Sequence, residues 1–259
     1  MSPTRSPNPN NHDLNMKIIT LLLAALLPTL ASAFDHSHRA WNAIVSTHVK
    51  DDNFDYRSAK SSAAKSLDSY LDALAAVERG TYDDWSDTQK LAYLINLYNA
   101  ATIDLVLEHY PVKSIRDIGG DDGPWKLKIV RLIGKKITLD QLEHEIIRKE
   151  FAEPRIHFAV NCASIGCPPL LNRAYTADQL ESQLAAQTKR FLSNRRINHL
   201  DGKTLHLSPL FDWFRDDFTA AAKSVRHYVA PYFPESERKA ILNEATLKFS
   251  EYDWALNDA

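Results

Sequence analysis

Cysteine, glycine and long apolar runs are all scarce in this chain of 259 residues. Only two cysteines occur, and neither a C-x-x-C nor an H-E-x-x-H stretch is present, so no familiar zinc or redox spacing is available. The seven glycines fall at predicted turns, and no linker, repeat or low-complexity run interrupts residues 34–259, so a single globular domain is expected there. No run of Lys and Arg interleaved with aromatics exists. A formal net charge of -2 and a pI near 6.5 argue further against a polyanion-binding surface, and no nucleic-acid partner is expected. Outside residues 18–30, no stretch is apolar enough to enter a membrane.

What is present suits one sizeable core. Hydrophobic residues make up 44% of the chain and charged residues 25%, with ten Phe, ten Tyr and five Trp. Near the start, Met16-Lys17 precedes the apolar run 18–30, and Ala31-Ser32-Ala33 supplies an A-x-A cleavage pattern. The run is short for a bilayer span and reads as a secretory signal, behind a polar upstream extension at 1–15. A periplasmic or secreted protein, with no stable membrane span after signal cleavage, is expected. Disulfides persist in such compartments.

The predicted elements mix helices with short strands. Ser86 and Gln89 form a capping box at the head of "KLAYLINLYNAATIDLVLEHY", which Pro111 ends. This helix is apolar on nearly every side, so it is expected to be buried and central. Thr138 with Gln141, and Thr176 with Gln179, suggest two further capping boxes. "PWKLKIVRLIGKKIT" and "RIHFAVN" read as strands, "INHLDGKTLHL" as a hairpin around Asp201-Gly202, and the closing "TLKFSEYDWALND" as another strand. The fold class is therefore α+β: a single domain with a buried central helix packed on a small, mostly antiparallel sheet.

"RIHFAVNCASIGCPPLLN" holds both cysteines. If 155–161 is a strand, His157, Ala159 and Asn161 share one face. His157 and Cys162 then lie roughly 16 Å apart, too far for proton transfer. The loop from Cys162 to Pro168 can fold back, which makes Cys167 the better partner for His157. A histidine or converging backbone amides give a cysteine the thiolate character a nucleophile needs, and small residues such as Ser164 suit such a loop. A Cys162–Cys167 disulfide pinning the loop is equally compatible with the spacing. A metal site would draw on Cys162, Cys167, His157 and His144, but C-x4-C is not a ligand spacing that zinc sites favour; no metal and no cofactor is expected. Glu143 and His144 flank the buried stripe of helix 139–150, where either could orient an imidazole or a substrate. Asn96 and Asn99, three apart on the central helix, must find partners. They could fix a neighbouring loop, or Asn99 could orient a catalytic histidine. Asp253 and Asn257 could likewise orient a histidine or anchor the terminus.

Together, "LAYLINLYNAATIDLVLEHYPVKSIRDI", "TLDQLEHEIIRKEF", "PRIHFAVNCASIGCPPLLNRAYTADQLESQL", "LSPLFDWFRDDF" and "YDWALND" resemble a family of bacterial exported and plant proteins, domain of unknown function 547. The resemblance covers about residues 85–257. It implies a location: an "IEH"-like helix at Glu143 and His144, an "HFA" segment at His157, and a loop with Cys162 and Cys167 ending in Pro168-Pro169. Asn96 and Asn99 fall in the helix motif. No established activity comes with the family.

Two functions are compatible with these residues. The first is an exported thiol-dependent hydrolase or acyl transferase acting on a small-molecule or peptide substrate. Cys167 would be its nucleophile with Cys162 in reserve, and His157 its base. Glu143, His144 or Asn99 would assist, and Asn96, Asn161 and Ser164 would bind or orient substrate. The second is a non-catalytic exported binding module whose bridged cysteines shape a loop. Thiol–disulfide exchange is a third class, set back by the missing C-x-x-C.

Overall fold

A computed structural model describes residues 1–3 and 34–259; the secretory signal read over residues 16–33 lies outside them. Helices dominate: α1 (Arg39–His48), α2 (Tyr56–Ser62), α3 (Ala64–Ala75), α4 (Arg79–Asp83), α5 (Asp87–His109), α6 (Arg148–Glu150), α7 (Leu180–Leu192), α8 (Leu210–Trp213), α9 (Arg215–Ala222), α10 (Val225–Val229) and α11 (Glu235–Asn243). The strands are short: β1 (Val49–Lys50), β2 (Asn53–Phe54), β3 (Val130–Leu132), β4 (Lys135–Ile137), β5 (His199–Asp201), β6 (Thr204–Leu207) and β7 (Thr246–Phe249). Pairs β1–β2, β3–β4 and β5–β6 are antiparallel, while β7 joins β6 in parallel after the crossover through α8–α11. The fold is α+β, as the pattern predicts.

Helix α5 is the centre. Its start is fixed by the Ser86–Gln89 capping box, and nearly every residue from Leu91 to Leu107 is buried. Its packing partners are chiefly α2, α3, strand β3 and the turn around Gln141, so helices cover more of it than sheet does. A second apolar cluster, built from α7–α11 and β6, stands beside the first.

Three local expectations are corrected. Residues 155–161 are not a strand: Pro154–Phe158 forms a 3-10 turn, begun by a proline and capped by the Glu153 carboxylate on the Arg155 N–H. Apolar residues on both sides of this segment mimic alternation because Ile156 enters one cluster and Phe158 the other. Thr176 does not cap α7; its own N–H is taken by the Gln183 side chain, and the helix begins at Leu180. The closing segment is a strand only at Thr246–Phe249, and 250–259 runs on irregularly across the molecule.

One element has a winding that sequence pattern does not reveal. After a capping box between Thr138 and Gln141, Gln141–Ile147 is a π-helix in which the Arg148 N–H reaches back five residues to the Glu143 carbonyl. Such wide turns recur at functional sites because they re-aim side chains.

Candidate active site

The cysteine loop is suspended from α5 by asparagines. The Asn99 side chain donates to the Ala159 carbonyl at 2.9 Å and accepts the Asn161 N–H at 2.8 Å. Asn161 in turn donates to the Pro168 carbonyl at 2.9 Å and accepts the Ala163 N–H at 2.9 Å, which staples the neck of the loop. Asn96 holds Tyr175 in the same two-bond manner. These three side chains are buried and spent on backbone groups, as buried amides must be. Ala163, between the staple and the sulfurs, sits at φ 56, a left-handed conformation that a non-glycine residue adopts only when its surroundings enforce it.

The C-terminal segment lies along the other edge of the loop. Ile165 and Gly166 donate to the carbonyls of Ala255 and Asp253, both at 2.9 Å. Asn257 is an anchor that accepts the Tyr56 hydroxyl at 2.8 Å. This pairing brings Tyr252 onto the sulfur of Cys162. A Cβ at Gly166 would stand 3.0 Å from the Asp253 backbone and 3.1 Å from the Tyr252 ring. Gly166→Ala is therefore expected to cost about 1–3 kcal/mol of stability and to push Tyr252 off Cys162. Thermal denaturation, together with the pH dependence of Cys162 alkylation, checks both effects.

The two sulfurs are unbonded and 3.0 Å apart, sharing one hydrogen bond. The Cys162 N–H also points at the Cys167 sulfur, at 3.0 Å. Cys162 Sγ has two further neighbours, Tyr252 Oη at 3.0 Å and Ser164 Oγ at 3.3 Å. The Cys167 thiol, then the Ser164 and Tyr252 hydroxyls, lower the Cys162 pKa against the opposing effect of burial. Burial pushes the Cys167 thiol well up, so Cys167 keeps its proton and Cys162 is the one with thiolate character.

Opposite the sulfurs stands an acid–imidazole row. His157 is stacked on Phe214, ring centroids 3.8 Å apart, and its Nε2 meets Asp217 Oδ2 at 2.7 Å. Arg148 grips both Asp217 oxygens, at 2.7 and 3.0 Å, and touches His144 Nδ1 at 3.3 Å. Burial alone would raise the Asp217 pKa; the bonds from His157 and Arg148 outweigh it and hold the carboxyl well below its usual range. Burial lowers the His157 pKa, so the ring is neutral. A neutral ring beside an ionised Asp217 carries its proton on Nε2, which leaves the Nδ1 lone pair free. That Nδ1 is buried, has no hydrogen-bond partner, and lies 3.9 Å from Glu143 Oε1. Glu143 is itself buried, and desolvation raises its pKa.

Sulfurs, carboxyl and imidazole line one cavity of about 170 Å³, with Tyr98, Trp125, Trp213, Phe214, Tyr252 and Trp254 completing the wall. Among the site residues expected from sequence, Glu143, His144, His157, Cys162 and Cys167 meet here. His157 makes no hydrogen bond to either sulfur; with 154–158 wound as a turn, its ring faces Asp217 and Glu143 instead. Asn96, Asn99 and Asn161 lie behind the wall as scaffold, and Ser164 touches Cys162. Sequence reasoning missed Asp217, Arg148, Tyr252 and the tryptophans. For Asp217, Tyr252, Trp213 and Trp254 the signal is that "LFDWFRDDF" and "YDWALND" concentrate acids and aromatics; Arg148 and Trp125 carry none. Among the described residues, no group of three or more His, Cys, Asp or Glu is placed to hold a metal ion.

Residues 82–192 match the family model described as protein of unknown function, DUF547, and this segment of the chain belongs to that family. No curated protein and no solved structure matches the chain. The matched segment contains both cysteines, His157 and Glu143; Trp213, Phe214, Asp217, Tyr252 and Trp254 lie outside it.

Proposed function

We propose that this chain is an exported thiol-dependent hydrolase or acyl transferase in which Cys162, rather than Cys167, is the nucleophile. One observation carries the reading: a sulfur hydrogen-bonded to a thiol and a tyrosine hydroxyl shares a small cavity with a carboxyl whose pKa burial raises. Thiolate attack on a substrate carbonyl forms a C–S bond and moves the carbonyl electron pair onto oxygen. The loop amides of Ala163, Ile165, Gly166 and Cys167 are all spent inside the protein, so they offer no oxyanion hole. Among the groups that line the cavity, the donor role is assigned to the protonated form of Glu143, which burial favours. Its O–H meets the developing oxyanion and then protonates the departing group. His157, with Nδ1 toward Glu143 and Nε2–H on Asp217, exchanges protons with that carboxyl rather than with sulfur. Water or another acceptor then releases the acyl group from Cys162. The aromatic mouth, with Trp213 half-exposed, suits an apolar or aromatic acyl group.

Two measurements test this. Incubation with p-nitrophenyl acetate is expected to leave an acetyl thioester on Cys162, seen by peptide mass spectrometry and absent from Cys162→Ala. Iodoacetamide is expected to alkylate Cys162 with an apparent pKa below that of a free cysteine. In Cys167→Ala the rate at pH 7 should fall by about tenfold, one pKa unit, because the sulfur loses its strongest donor. Preferential labelling of Cys167 in the native chain would remove the basis of the proposal.

A further inference from the structure

We infer that Cys162 and Cys167 form a reversible dithiol–disulfide couple, and that the site catalyses thiol–disulfide exchange with a disulfide-bearing substrate. The sulfurs need to close by only about 1 Å, from 3.0 Å to a bond of ~2.05 Å. The Asn161 staple on one side and the Asp253 and Ala255 carbonyls on the other already hold the loop in the bend that brings them together. The pair is also asymmetric, as exchange chemistry requires: one sulfur has the hydroxyls of Tyr252 and Ser164 beside it at 3.0 and 3.3 Å, and the other is buried and protonated.

Access is divided in the same way. Cys162 opens to the cavity it shares with Glu143. Cys167 lines that cavity and a second one, of about 180 Å³, which Ser164, Ile165, Pro169 and Arg190 also line and Cys162 does not. Ile165, 52% exposed at the rim of this second cavity, leaves the loop reachable by a bulky partner.

The exchange proceeds in two displacements. The Cys162 thiolate attacks one sulfur of a substrate RS–SR′, forming Cys162–S–S–R and expelling R′S⁻. Cys167 gives its proton to R′S⁻, and its own thiolate then attacks the Cys162 sulfur, closing Cys162–S–S–Cys167 and expelling RS⁻. The substrate disulfide gains two electrons and the cysteine pair loses two; a dithiol reductant restores the pair. This rests on Cys162 being the thiolate and not on acyl transfer.

The test uses the full chain in a series of oxidised and reduced glutathione mixtures, quenched in acid, alkylated and read by mass spectrometry. The native chain is expected to lose two hydrogens, to yield both cysteines in one bridged peptide, and to recover them fully with dithiothreitol. Cys167→Ser is expected to stall with glutathione on Cys162, and that adduct should form at least ~10-fold faster than the adduct on Cys167 in Cys162→Ser. A native chain that stays unbridged across the series, or that retains glutathione on Cys162 as the serine variant does, overturns the inference. Acetylation by p-nitrophenyl acetate separates the two proposals. Its loss with the bridge intact removes only acyl transfer, and its persistence without a bridge removes only the couple.

Discussion

Asn99→Ala is expected to lower the stability of the folded chain by about 3 kcal/mol. The side chain satisfies two backbone groups at once, the Ala159 carbonyl and the Asn161 N–H, and lies in the buried face of α5. Alanine leaves both buried groups unpaired, at about 1–3 kcal/mol each. Urea denaturation followed by circular dichroism reads the loss as a lower midpoint at unchanged slope. Asn96→Ala is the informative companion, because Asn96 makes the same pair of bonds to Tyr175, which lies outside the cysteine loop. It should cost a similar amount while leaving the alkylation pKa of Cys162 where it is, whereas Asn99→Ala should raise that pKa by loosening the loop. Equal effects of the two substitutions on Cys162 would contradict the scaffold described for the site.

The second large effect is electrostatic. Asp217→Leu is expected to cost about 2 kcal/mol at neutral pH, a cost that fades as the solution is acidified. Removing one partner of a buried ion pair strands the other, at about 3–5 kcal/mol, but the Arg148 and Asp217 side chains are each about a quarter exposed, 25% and 26%, and solvent screening reduces the figure. The sign follows from the lowered pKa of Asp217. Its contribution is fully present above the unfolded-state value near 4 and is lost as pH falls through the lower folded-state value. Denaturation at pH 7 should therefore separate wild type from variant, and the gap should narrow progressively as pH falls from 4 to 2. Asp217→Asn refines the result, since its amide oxygen can still accept the His157 Nε2–H although it cannot neutralise Arg148. A cost that does not change with pH would mean that packing against Phe214 and Phe218, rather than charge, is what Asp217 supports.

The comparison of sequence with structure divides along contact range. Helix α5 was legible because each of its signals is local: Ser86 and Gln89 at its head, Pro111 beyond its end, and an apolar residue on every side. The gathering of Glu143, His144, His157, Cys162 and Cys167 was legible as a location, since all five lie within one stretch of chain. Their partnerships were not. His157 meets Asp217 from 60 positions away, and Cys162 meets Tyr252 from 90, and no periodicity connects segments at that separation. The 3-10 turn at Pro154–Phe158 defeated the strand reading for a different reason. A segment wedged between two apolar clusters is hydrophobic on both sides, and a short run of that kind does not reveal its own winding. The π-helix at Gln141–Ile147 escaped because its capping box is the one an ordinary α-helix uses.

The cavity wall is assembled from two sources, and this bears on how such proteins can diversify. The reactive half, with its sulfurs and carboxyl, comes from the segment shared with the family, together with Tyr98 and Trp125; Trp213, Phe214, Tyr252 and Trp254 come from chain on the C-terminal side. A relative that inherits the first and replaces the second would retain the means of attack while meeting a different molecule at the entrance. Excising the shared segment for study would separate Cys162 from the tyrosine beside it, and would leave Phe158 without the aromatic side chains it packs against in α8 and α9.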